Sequence, residues 1–349
     1  MRKKEYSPRK TLIALVFLAV LVFYPYLRAA QQPKNYAFGG ETMGTTYNVR
    51  VARTRLSKSA VRKLHDDIEE LLVDINRQMS TYDPESEISN FNASTETNAF
   101  SVSRDFVTVT ETALKLAHQS NGAFDPTVMP LVSLWGFGPD SKQAVPTADA
   151  IASIRDAIGF MKIRVTGPGS ILKTHPSLSL DLNAAAKGYA SDRVARLARD
   201  RGCPNVFVEI GGEIMALGHS DDEGPWRVSI DRPRRGTLPG DTTQRILEIQ
   251  NRAVATSGDY RNYYEDQGRV YSHIIDPRSG YPVSNRVAST TVIAADCLTA
   301  DALATALMVL GPDEGQPVLE AFAPAEAMWI VREGPGRFAE HFSPGFPKN

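Results

Sequence analysis

The sequence predicts an α+β fold, with antiparallel sheets flanked by helices, and three observations carry that reading. Strand-like runs come in groups with helical runs between the groups, where a doubly wound α/β protein would alternate the two. The run "NVFVEIGGEIMALG" places Gly211-Gly212 between two apolar strands, which is the chemistry of a tight antiparallel hairpin. No G-x-G-x-x-G follows a strand, so the phosphate signature of the dinucleotide-binding α/β folds is missing.

The elements follow in chain order. Residues 28–40 read as a linker, and "TTYNVRVA" (45–52) alternates as a strand. Val61, Leu64, Ile68, Leu71, Leu72 and Ile75 recur at helical spacing over 59–78. "STYDPESEISNFN" (80–92) reads as loop, with turn chemistry at Asp83-Pro84. A second helix spans about 104–120 and stops at Asn121-Gly122. In "AFDPTVMPLVSLWGFG" (123–138) proline and glycine are too closely spaced for a long regular element, so an ordered loop is expected. A short helix covers 147–158. "SLSLDLNAAAKGYASDRVARL" (177–197) opens with the alternation of a strand, then turns at Asp181 into a helix that closes at Arg201-Gly202. After the glycine hairpin come the strands "WRVSID", "RILEIQ", "AVATSGD", "RVYSHIID" and "STTVIAA". Helices over 298–310 and 313–321 and a hairpin of "AMWIV" with "GRFAE" finish the chain.

With 349 residues, 42% hydrophobic and 23% charged, the chain has ordinary globular composition and enough length for a large core, in one domain over 41–349 or in two lobes. A formal net charge of −1 gives no bulk electrostatic basis for binding nucleic acid. Two cysteines, Cys203 and Cys297, are too few for a disulfide framework. The N-terminus differs from the rest. Basic "MRKKEYSPRK" precedes "TLIALVFLAVLVFYPYL" (11–27), which is apolar and uncharged. Residues 1–27 read as an uncleaved signal anchor, with a cleaved signal peptide as the alternative; both put the remainder outside the cytoplasmic membrane.

Several constellations can carry chemistry. Asp181 sits where a strand hands over to a helix. Free amides and the dipole there suit a phosphate, while a carboxylate beside them suits a donor on a nucleobase or flavin, or a cation. In "LTADALATALMVLG", Asp301 and Thr305 are one helical turn apart and offer two hard oxygens suited to Mg²⁺. The competing reading is that Thr305 bonds back to the Asp301 carbonyl while the carboxylate is solvated. His273, just before the "DPRSG" turn, is placed to act as a base, or is structural. Met43 in "GGETMGTTY" and Tyr82 in "MSTYDPES" can pack on an aromatic ligand, and Asp125 follows Phe124 in a rigid loop. Walker, HExxH and CxxC motifs are absent from the sequence.

Taken in order, "ETMGTTYNV", "MSTYDPESEISNFN", "GAFDPTVMPL", "LDLNAAAKGYASDRV", "VEIGGEI", "ATSGDYRNYY", "SHIIDPRSGYPV" and "TADALATAL" resemble the motifs of the ApbE family, the FAD:protein FMN transferases, over roughly 40–331. The resemblance implies an ApbE-type, T-fold-like architecture and a Mg²⁺-dependent enzyme of the inner membrane, its catalytic domain on the periplasmic side. Such an enzyme splits FAD, releases AMP and attaches FMN by a phosphoester to a threonine of an acceptor, such as a subunit of a membrane redox complex. It implies FAD contacts from Met43, Tyr82, Ala123, Phe124, Asp125, Asp181, Lys187 and the backbone of Ser272, His273 and Ile274. It implies metal ligation by the Ala184 carbonyl, Asp301 and Thr305, and catalytic assistance from His273. Two alternatives stand beside it: an FAD pyrophosphatase that uses water in place of threonine, and a flavin-binding protein without turnover. The chain departs from the family in lacking a lipid-bearing cysteine after the apolar segment, and in having Asn183-Ala184 where many members have glycines.

Overall fold

Eight strands pair in chain order into one antiparallel sheet: β1 (Lys34–Thr42), β2 (Thr45–Thr54), β3 (Val206–Ile210), β4 (Glu213–Leu217), β5 (Arg252–Gly258), β6 (Val287–Ala294), β7 (Glu326–Gly334) and β8 (Arg337–Phe342). The computed structural model describes residues 12, 17, 18, 32–138, 141–238, 240–334 and 336–348. Four long helices, α1 (Lys58–Met79), α2 (Arg104–Gln119), α3 (Asn183–Asp200) and α4 (Cys297–Glu320), supply the layer on one face. The α+β class is therefore as expected. The apolar 11–27 segment lies outside the described residues except for Leu12, Phe17 and Leu18, and among the described residues no helix is long and apolar enough to cross a membrane.

Side-chain alternation divides the strands between two cores. Val49, Val208, Met215, Ala253, Ala255 and Val292 face the helices and join the main core. Ile214, Ala216, Val254, Ile293, Met328 and Ile330 face the other way, onto the hairpin of Trp226–Asp231 with Thr243–Ile249. A third cluster, Leu131, Trp135, Ile151, Ile158 and Ile275, braces the chain just after His273, and Trp135 Nε1 donates to the Gly280 carbonyl at 2.8 Å.

The helices form where the sequence places them, for identifiable reasons. Ser57 caps α1 by accepting from the Ala60 amide, and Val61, Leu64, Ile68, Leu72 and Ile75 make its buried stripe. Asp296 caps α4 through the Thr299 amide, and a positive φ of 72° at Gly311 divides that helix into the two expected segments. Small residues on α3 permit a close approach to α4. A Cβ on Gly188 would stand 2.3 Å from the Cys297 carbonyl oxygen and 2.8 Å from Asp301 Cβ, so only glycine fits without moving a helix. Asp192 of α3 fastens the pair further, accepting from the Cys297 and Leu298 amides at the start of α4.

Several expectations are corrected. Residues 34–40, read as linker, belong to β1, whose burial alternates along the edge of the sheet. Residues 80–92, read as loop, run into a helix, Glu87–Ala93, started by a Ser86 cap that the Asp83-Pro84 turn obscured. The 123–138 loop contains a six-residue helix, Met129–Leu134, with proline in its first turn, where proline is tolerated. "SLSLDL" buries Leu178, Leu180 and Leu182 in alternation, but it joins no sheet. Its backbone is satisfied instead by Asn92, which bonds both the amide and the carbonyl of Leu180. "RVYSHIID" breaks at His273-Ile274 into strands Arg269–Ser272 and Ile275–Asp276. Both cysteines are free and buried.

The helix contact yields a stability prediction. Gly188→Ala forces α3 and α4 apart and lowers stability by about 1–3 kcal/mol, as overpacking does. Urea denaturation checks it; a variant as stable as the parent shows that the two helices yield without cost.

Candidate active site

Two glycine turns open at the same end of the sheet. Met43 (φ 51°) and Gly44 (φ 70°) join β1 to β2 with both residues left-handed, as a two-residue hairpin requires. Gly211 and Gly212 join β3 to β4 beside them, and the Gly211 amide donates to the Thr46 carbonyl at 3.1 Å. A Cβ on Gly211 would meet Thr45 Cγ2 at 2.8 Å and Lys187 Cδ at 3.3 Å. The Lys187 stem therefore lies directly over this turn.

Lys187 projects from the first turns of α3 toward two buried carboxylates and one backbone carbonyl. Its Nζ stands 3.5 Å from Glu213 Oε1, 3.6 Å from Asp301 Oδ2 and 3.4 Å from the Asn183 carbonyl. Asp301 is 3% exposed, and its Oδ2 accepts from the Gly188 amide at 3.0 Å. In a regular helix that amide is aimed at the Ala184 carbonyl, so Asp301 shares a donor with Ala184. Thr305 donates to the Asp301 carbonyl at 3.4 Å and shares a 3.1 Å hydrogen bond with Ser257 of β5. Thr305 thus bonds backwards along its helix, as the competing reading held. The Asp301 carboxylate, however, is buried against Gly188 and Lys187 and is not solvated. Burial pushes the Lys187 ammonium toward deprotonation, but Asp301 and Glu213 outweigh it and hold its pKa above the ordinary lysine range. Burial pushes the Glu213 carboxyl up.

The helix start itself is held by Asp181. Its Oδ1 accepts from the Asn183 amide at 2.9 Å, and its own amide donates to the Pro126 carbonyl at 2.7 Å, fixing the Ala123–Thr127 loop against α3. Burial raises the Asp181 carboxyl, opposed by the Asn183 amide and the Lys187 charge. Within that loop Asp125 is already spent. Oδ1 accepts from the Thr127 amide and hydroxyl (2.8 and 2.6 Å) and Oδ2 from the Phe160 amide (3.0 Å), while burial pushes the carboxyl up. Ala123 and Phe124 are buried in the main core, so the loop can offer a ligand its backbone but not the Phe124 ring. Tyr82 is 69% exposed, and its neighbour Thr81 accepts from Asn183 Nδ2 at 3.2 Å, which places the Tyr82 loop at the α3 terminus. Met43 packs half-buried on the core.

His273 stands at the break between two strands. The Asn262 carbonyl receives its amide at 3.1 Å and lies 2.9 Å from Nδ1. A carbonyl can only accept, so Nδ1 carries the proton and Nε2 keeps its lone pair. Burial lowers the His273 pKa, against the Asn262 carbonyl and the Asp259 charge, which raise it, and so favours the neutral ring. Ser272 is buried and accepts from the Ile274 amide at 3.3 Å; Ile274 itself is a core residue. A groove of about 750 Å³, lined by Leu238, Tyr260, Tyr263 and Tyr264 among others, lies against the strand that flanks His273 rather than over the carboxylates.

Two participants carried a sequence signal that went unread. Glu213 is the one acidic residue in the apolar strand "EIMAL" and takes a core-facing position. Gly188 is a glycine inside a helix, which signals close packing. Among the described residues no group of three or more His, Cys, Asp or Glu is arranged to hold a metal. Mg²⁺ does not need one, because it is commonly held by one or two carboxylates together with substrate phosphates.

The fold is that of solved flavin transferases. It matches the flavin transferase ApbE from Vibrio cholerae with a TM-score of 0.80 at 40% identity, over 90% of this chain and 98% of that one. It matches the apo form of the Pseudomonas stutzeri flavinyl transferase ApbE with a TM-score of 0.80 at 38% identity, over 90% and 96%. The chain belongs to the ApbE family, whose sequence model matches residues 43–329. A relative in Vibrio cholerae serotype O1, named FAD:protein FMN transferase, is 40% identical over 97% of this chain and 98% of its own length. A relative of the same name in Escherichia coli strain K12 is 35% identical over 88% and 87%.

The Asp125 geometry makes a prediction. Asp125→Ala leaves the Thr127 and Phe160 donors without their acceptor and costs about 1–3 kcal/mol of stability. A urea midpoint unchanged from the parent contradicts the bracing role.

Proposed function

We propose that the protein is an FAD:protein FMN transferase: it moves FMN from FAD to a threonine hydroxyl of an acceptor protein and releases AMP. The observation that carries this reading is the meeting of Lys187, Asp301 and Thr305 at the open end of the sheet, beside α3, in a chain of this family. An ammonium and hard oxygens are what a diphosphate and its counter-ion require.

The donor set suits Mg²⁺. Asp301, Thr305 and the Ala184 carbonyl are all oxygen ligands, and Glu213 Oε2 beside them is buried with no hydrogen-bond partner. These residues would hold Mg²⁺, which would supply neutralisation of the charge developing on the diphosphate. Asp181 and the Ala123–Asp125 loop, held together at the start of α3, orient the flavin end together with the Ser272–Ile274 backbone, and Met43 and Tyr82 offer apolar surfaces. The threonine oxygen attacks the phosphorus on the FMN side, the bond to the AMP oxygen breaks, and AMP leaves with that electron pair. His273 Nε2 takes the hydroxyl proton. Lys187 stands ready for the charge on the departing phosphate. Positioning and charge neutralisation supply most of the acceleration in such a transfer.

The apolar 11–27 segment with its basic flank supports an inner-membrane enzyme whose catalytic domain faces the periplasm, where subunits of membrane redox complexes are within reach as acceptors.

Incubation with FAD, Mg²⁺ and an acceptor domain, followed by mass spectrometry, is expected to show the acceptor heavier by one FMN less one water, with equimolar AMP. FMN and AMP formed at one rate with or without acceptor make the protein a pyrophosphatase; FAD recovered intact makes it a carrier. His273→Ala is expected to lower kcat by roughly 10²–10⁴, with a smaller effect on FAD affinity. The acid limb of kcat/KM is expected below the ordinary histidine value of about 6.5, because the base works only while Nε2 is free and the depressed pKa keeps it free at lower pH. A limb above that value removes His273 as the base. Asp301→Ala is expected to abolish Mg²⁺-dependent turnover while sparing most FAD binding; an unchanged rate removes the metal assignment.

A further inference from the structure

We propose that Glu213 is a positioning residue that sets the cation affinity of Asp301 by drawing the Lys187 ammonium away from it. The proposal rests on the metal assignment above and adds to it a residue outside the ligand set.

Lys187 Nζ lies almost equally far from Asp301 Oδ2 (3.6 Å) and Glu213 Oε1 (3.5 Å). With no metal bound, the ammonium is therefore the counter-ion of both carboxylates, and it is one of the groups a divalent cation on Asp301 must repel. It has to be received somewhere as the cation arrives. Glu213 is built to receive it. The residue is 5% exposed, and its Oε2 is buried without a hydrogen-bond partner, an oxygen left over for a second bond.

The two sides of the pair differ in freedom. Glu213 closes the β3–β4 hairpin opposite Ile210, and its carbonyl accepts from Ser191 Oγ of α3 at 3.0 Å, so its backbone is fastened to strand and helix together. Lys187 carries its charge on a four-carbon stem laid over Gly211, where rotation of the last bonds moves the ammonium between partners. With both acids ionised, two carboxylates and one ammonium leave a single negative charge for the incoming cation, a count that holds on the alkaline side of the Glu213 carboxyl, which burial pushes up to about 8. Without the Glu213 charge the set is neutral before the metal arrives, and Lys187 has only Asp301 to neutralise.

The competing account is that Glu213 merely neutralises a buried lysine for the sake of stability. Titration of the full chain with Mn²⁺ alone, read from the EPR signal of the free ion without FAD, separates the two. Glu213→Gln is expected to weaken Mn²⁺ binding about tenfold, Lys187→Met to strengthen it, and Glu213→Gln to have little further effect in the Lys187→Met background, the signature of coupled residues. The opposite sign expected of Lys187→Met keeps the test decisive even if Glu213→Gln folds poorly. Mn²⁺ affinity unchanged in Glu213→Gln, with only the melting temperature lowered, overturns the proposal. So does an equal loss with and without Lys187, which would have Glu213 acting directly. Asp301→Ala is the control: if it binds Mn²⁺ like the parent, the metal assignment fails and the proposal with it. If Asp301→Ala loses Mn²⁺ while Glu213→Gln keeps it, the proposal alone fails.

Discussion

The close crossing of α3 and α4 at Gly188 is the constraint on which the rest of the structure depends. Because no Cβ intervenes, the Gly188 amide, one turn after Ala184, reaches the Asp301 carboxylate and fixes it within reach of Lys187. Any side chain at 188 would separate the helix that presents the ammonium from the helix that presents the carboxylate. Asp192 strengthens the same junction by capping the first amides of α4 from the side of α3. The sheet completes the arrangement from below: the Gly211-Gly212 turn supports the Lys187 stem, and Ser257 of β5 engages Thr305.

Charge is concentrated here in an otherwise apolar setting. The buried faces of α3 and α4 are mostly alanine and leucine, so the ammonium and its two carboxylates interact in a medium of low polarity, where each is worth more than at the surface. An anionic ligand at the mouth of this site meets an ammonium held in its charged form. His273 presents the opposite condition, a neutral ring with one nitrogen tied to a carbonyl and the other free. A charged ammonium and a largely uncharged base, supplied by separate elements, form a workable division of labour for moving a phosphoryl group to a hydroxyl.

Much of this was legible in the sequence, and the exceptions have physical causes. The stripe of α1, the glycine hairpin and the strands of the later half follow from periodicity and turn chemistry, which are local. Edge strand β1 was hidden because it is half-exposed and rich in glycine and polar residues. "SLSLDL" misled in the other direction: alternation reports burial on one side, and here Asn92, not a neighbouring strand, takes the backbone bonds. For the site, motif order suggested which residues matter but not what their side chains are doing. Asp125 illustrates the limit, because its carboxylate is consumed within its own loop. Glu213 illustrates the converse: a lone acid in an apolar strand becomes meaningful only once the fold sets Lys187 against it.

The proposed transfer requires a divalent cation between α3 and α4, against the diphosphate of FAD. The most direct measurement is the anomalous scattering of a crystal soaked with FAD and Mn²⁺. A single strong peak is expected within bonding distance of Asp301, Thr305 and the Ala184 carbonyl, with the diphosphate completing its coordination. A peak elsewhere, or a diphosphate lying away from these residues, would contradict it.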